Sequence, residues 1–100
     1  MGSYIACFFA GMFLTNMIPH FVHGISGDRF PTPFAKPPGK GLSSSLVNVV
    51  WALFNLLAGS LLVWVGCFSF NHAGSLFAFF AGLAATSVGL SVALKGRDRE

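Results

Sequence analysis

The chain has 100 residues with six Lys or Arg, three Asp or Glu and a formal charge of +3, and one domain is the natural expectation for that length. Hydrophobic residues make up 54% and charged residues 9%, whereas a soluble domain carries about 25% charged residues. A short chain cannot hide that much apolar surface in a globular core. Its solvent is therefore lipid or a large partner, and its bases, gathered at segment ends, do not form the footprint of a nucleic-acid binder.

A transmembrane helix needs about 20 mostly apolar residues. The first stretch that qualifies runs from about Ser3 to Val22 and holds no Asp, Glu, Lys or Arg. It lacks the positive leader of a signal peptide and its apolar run is too long for one, so a retained helix is expected. Ala6 occupies the Ser/Thr position of a myristoylation signal, so that pattern fails. Near the end of this span comes "NMIPHFVHGIS", residues 16 to 26. Asn16, His20 and His23 fall on one face if the helix continues. Pro19 removes the hydrogen bond to the Thr15 carbonyl and can kink the helix there.

Residues 24 to 43 read "GISGDRFPTPFAKPPGKGLS", with four prolines and four glycines. Regular helix is excluded through most of this loop, because each residue before a proline is pushed toward extended geometry. Phe30 and Phe34 flank a Pro-Thr-Pro core, and Arg29, Lys36 and Lys40 suit lipid headgroups. A base beside an anionic leaflet contributes about 1 kcal/mol. The loop either hugs the membrane surface or folds over a site.

The second span runs from about Ser44 to Gly66. Asn48, Ala52, Asn55, Gly59, Leu62 and Gly66 line a stripe about 80° wide at helical spacing. Asn55 lies well inside the bilayer and needs a partner on another helix; packing glue is the simpler role, a ligand contact the sharper one. The second helix runs antiparallel to the first. Ser43, Ser44, Ser45 and Asn48 therefore come to the depth of Asn16 through His23, and a polar cluster roofed by the loop is expected there.

The third span runs from about Gly74 to Leu94. Gly74, Ala78, Ala81, Gly82, Ala85 and Gly89 share one face within about 100°, opposite Leu76, Phe79, Phe80 and Leu83. Small residues let membrane helices approach closely, so Gly82, Ala85 and Gly89 are expected at a helix contact and the large residues in lipid.

With three spans, Arg29, Lys36, Lys40, Lys95, Arg97 and Arg99 all fall on one side, and the N-terminus and the "CFSFNHA" turn with His72 on the other. The positive-inside rule then puts the N-terminus outside and the C-terminus in the cytoplasm. Cys7 and Cys67 lie toward the outer ends of their helices. A bridge between them is conceivable, although buried thiols are commonplace.

Chemistry is thinly supplied. No span holds an acid, so the carboxylate relay common in proton-coupled transporters is missing. Nothing resembles a phosphate loop or a nucleophile elbow, and no catalytic residue or cofactor is expected. His20 and His23 could hold a metal or a haem iron, but interfacial hydrogen-bonded histidines are the commoner case.

The block "NMIPHFVHGISGDRFPTPFAKPPGKGLSSSLVNVVW" resembles segments of short, uncharacterised bacterial membrane proteins. The resemblance covers about the first half of the chain and implies a bacterial inner-membrane setting. It supplies no catalytic residue.

The sequence thus describes an all-α integral membrane protein with three transmembrane helices and a Pro/Gly-rich cytoplasmic loop. The expected role is accessory or structural: a homo-oligomer or a subunit of a larger membrane complex, in contact with membrane lipids. Two alternatives stand beside it. One is a metal, haem, lipid headgroup or small-ligand site at Asn16, His20, His23 and Asn48. The other is an oligomeric pore or transporter lined by the Asn48–Asn55 stripe.

Overall fold

A computed structural model describes residues 2–38, 40–66 and 73–96. Three helices form, each long and apolar enough to cross a membrane: α1 Gly2–Ile25, α2 Ser45–Gly66 and α3 Ala73–Ala93. The molecule is 43 Å along its longest axis, close to the ~40–45 Å of a bilayer with its headgroups.

The helix boundaries follow local chemistry. α1 runs through Pro19 and ends in a Schellman motif. There the Asp28 amide donates to the His23 carbonyl at 2.9 Å and the Gly27 amide to the Gly24 carbonyl at 3.1 Å. Gly27 takes the left-handed conformation that this motif needs, with φ +78°. His23 therefore belongs to a tied helix end. α2 begins with Ser44 as its N-cap, whose hydroxyl accepts the Val47 amide at 3.2 Å.

The loop is more ordered than its prolines imply. Strands β1, Phe30–Pro31, and β2, Leu42–Ser43, pair antiparallel with Phe30 opposite Ser43 and Pro31 opposite Leu42. This closes residues 30–43 into a hairpin against the helices. Thr32 Oγ1 and Ser43 Oγ lie 2.6 Å apart, and the Phe34 amide donates to Thr32 Oγ1 at 3.1 Å.

α1 is the central helix. α2 packs along it, α3 packs along it, and α2 and α3 scarcely touch one another. α3 meets α1 where Gly11 faces Gly82: a methyl on Gly82 would overlap the Phe8 carbonyl, and one on Gly11 would overlap the Phe79 carbonyl. Backbones this close make van der Waals contact along their length, the main attraction available to apolar helices in lipid. On α2 the buried residues are Asn48, Ala52, Asn55 and Gly59, four of the six in the expected stripe; Leu62 and Gly66 are half-buried. Large apolar side chains face outward, Trp64 at 75% exposure and Phe77 at 71% among them. That arrangement suits a chain surrounded by hydrocarbon.

Candidate polar site at the loop end of α1 and α2

Asn48 lies one turn into α2 and is fully buried. Its Nδ2 faces three carbonyls, Phe30 at 3.0 Å, Ser43 at 3.3 Å and Ser44 at 3.0 Å. Only the amide nitrogen can satisfy them, which fixes the orientation of the group. Oδ1 is thereby turned toward His20, 2.8 Å from its Nδ1. An amide oxygen only accepts, so His20 Nδ1 carries the proton, and in the neutral ring the lone pair is on Nε2. One side chain thus joins α1, both strands of the hairpin and the start of α2.

Phe30 sits between the two histidines. His23 stacks on it, with centroids 4.3 Å apart and planes 16° from parallel, and His20 meets it edge-on at 5.3 Å. His23 Nδ1 also lies 3.4 Å from Asp28 Oδ2, both groups partly exposed. Beyond this layer Phe34 meets Trp51 edge-on at 5.0 Å, and Trp51 stacks on Phe54.

Two turns deeper, Asn16 Nδ2 donates to Asn55 Oδ1 at 3.1 Å, and Asn55 Nδ2 donates to the Trp51 carbonyl at 2.8 Å. Asn55 has the interhelical partner that its depth requires.

The structure thus brings Asn16, His20 and Asn48 into one polar column, with Asn55 at its foot, and places His23 on the far side of Phe30. His20 and His23 acquire no third His, Cys, Asp or Glu in metal-binding arrangement among the described residues. Arg29 reaches the Leu42 carbonyl at 3.5 Å, and Lys36 and Lys40 are exposed on the hairpin. Gly82 is buried against α1, whereas Ala85 is exposed and a methyl on Gly89 would meet open space. At the other end of the bundle Cys7 is disulfide-bonded, with its sulfur 3.6 Å from the Gly66 carbonyl. The only other cysteine, Cys67, lies outside the described residues, as does His72.

Two groups escaped sequence reasoning. Trp51 Nε1 and Thr86 Oγ1 are buried and have no hydrogen-bond partner among the described residues. Both residues line a cavity of about 250 Å³ with Asn16 and Asn55. A second cavity, about 190 Å³, shares Asn16 and Trp51 and adds His20 and Thr32. The separation of α2 from α3 creates this cleft, and no local sequence pattern encodes it.

No family model matches the chain, and no curated protein or solved structure matches it.

Proposed function

We propose that this chain is a small accessory component of the bacterial inner membrane, working as a homo-oligomer or as a subunit of a larger membrane complex. The observation that carries the proposal is the way α3 is held. It meets α1 around Gly82 and leaves Ala81, Ala85 and Gly89 uncovered. Small residues on a membrane helix are the usual place for another helix to approach. The polar side chains favour the same role, because Asn16, His20, Asn48 and Asn55 are engaged in holding helices and hairpin together.

The orientation that goes with this role has the N-terminus outside and the C-terminus in the cytoplasm. Arg29, Lys36 and Lys40 lie on the hairpin, and the end of α3 that leads to Lys95 packs beside it, since Leu94 shares a cavity with Pro31 and Thr32. The disulfide-bonded Cys7 lies at the opposite end of α1, where an oxidising compartment is required for the bond to persist.

Native mass spectrometry from mild detergent tests the assembly. Defined multiples of the chain, or stable co-purifying membrane proteins, are the expected result, with Gly89→Leu shifting the population toward the single chain. A lone chain at all concentrations, unchanged by Gly89→Leu, overturns the proposal.

A further inference from the structure

We infer that the cleft between α2 and α3 binds a neutral, lipid-soluble molecule whose head carries a carbonyl or hydroxyl group. The two cavities of about 250 and 190 Å³ have Asn16 and Trp51 as common walls. Among the described residues neither is lined by a Lys, Arg, Asp or Glu, so a charged head would meet no counter-charge from these walls in low dielectric. The walls do offer polar atoms, and two of them are unspent. Trp51 Nε1 and Thr86 Oγ1 are both buried without a partner among the described residues. A threonine on a helix can turn its hydroxyl back to the carbonyl four residues earlier. Ser87 does so, donating to the Leu83 carbonyl at 2.7 Å; its neighbour Thr86 does not.

The donor and acceptor pattern defines the head. An indole N–H only donates, so the occupant must present an acceptor to Trp51; the Thr86 hydroxyl can donate or accept. In the adjoining cavity His20 has its Nδ1 proton committed to Asn48, which makes Nε2 the ring's acceptor for a hydroxyl. Phe9, Met12 and Phe13 complete the deeper cavity with apolar surface for a ring or a chain. Leaving two buried donors bare is unfavourable, and the occupant removes that cost. Molecules with this chemistry come from two sources, prenylated quinones with ring carbonyls and prenyl alcohols with a single hydroxyl.

The test uses the full chain in lipid nanodiscs. Trp64→Phe changes a lipid-facing side chain, 75% exposed, and leaves Trp51 as the sole tryptophan. A decyl-substituted benzoquinone, which quenches indole fluorescence, is the probe. The expected result is quenching that saturates at one quinone per chain. The companion Trp51→Phe chain, reporting from Trp64, should be quenched only in linear proportion to quinone in the lipid. Adding Thr86→Val to the Trp64→Phe chain should raise the half-saturation point about 5–10-fold, the effect of one hydrogen bond. Displacement of the quinone by a prenyl alcohol supports the site and assigns the hydroxyl class; saturable quenching without displacement supports it and assigns the dicarbonyl class. Native mass spectrometry of the unmodified chain should retain one quinone. Linear quenching alike in both reporter chains, with no retained quinone, overturns the inference and leaves water or a neighbouring helix as the filling of the cleft.

Discussion

His20 on α1 gives its Nδ1 proton to the side-chain oxygen of Asn48 on α2 across 2.8 Å, with both residues buried. The bond is directional because three backbone carbonyls hold the Asn48 amide. Replacing Asn48 with Leu strands the buried His20 Nδ1 proton, while the carbonyls of Phe30 and Ser43, opposed in the β1–β2 ladder, keep backbone partners. The expected loss is about 1–3 kcal/mol, from the one buried donor left unpaired. Unfolding in mixed detergent micelles measures it, and a loss below about 0.5 kcal/mol would mean that water replaces the amide.

The two histidines should differ. His20→Leu removes a buried donor and should lower stability by about 1–3 kcal/mol, with His20→Gln recovering much of that loss through its own amide donor. His23 is partly exposed, and its contact with Asp28 is a surface pair, of the kind worth about 0–1 kcal/mol. Asp28→Asn should therefore be nearly silent, and His23→Gln should lose only the stacking on Phe30. Equal sensitivity of His20 and His23 would contradict this ranking.

Gly82 and Leu83 are neighbours in sequence with opposite surroundings. Gly82→Ala puts a methyl against the Phe8 carbonyl and should separate α3 from α1, with a loss of about 1–3 kcal/mol, as overpacking generally costs. Leu83→Phe, on an exposed position, should change stability by less than about 0.5 kcal/mol. Comparable losses at both positions in thermal unfolding would refute the close crossing of the two helices.

Orientation is read by labelling. In a chain freed of native cysteines, a membrane-impermeant maleimide added to intact cells should modify Ala73→Cys and spare Lys40→Cys, both exposed positions. The reverse pattern inverts the topology. Non-reducing thiol titration of the native chain should find no reactive thiol, because Cys7 is already bonded.

The three spans were legible because each is an uninterrupted apolar run. The depth match between His20 and Asn48 was legible too, since antiparallel helices joined by a loop place the end of one beside the start of the next. The hairpin was not: strands of two residues are too short to show alternation, and prolines and glycines dominate the signal. Part of what holds it comes from Asn48, outside the loop itself, which donates to the Phe30 and Ser43 carbonyls. Ala85 and Gly89 share a helical face with Gly82, yet only Gly82 is buried. Periodicity identifies a face; it does not say how many neighbours that face meets. Trp51 and Thr86 became visible as a pair only once α2 and α3 stood apart.

The Asn48 amide has a mechanical consequence. It grips the Phe30 carbonyl in the hairpin and His20 in α1 at once, and His20 is a wall of the cavity that Trp51 shares. Pulling the hairpin away from the helices would therefore strain the same amide that ties α1 to α2. The hairpin is in this sense a lever whose short arm ends at His20, a wall of the cleft.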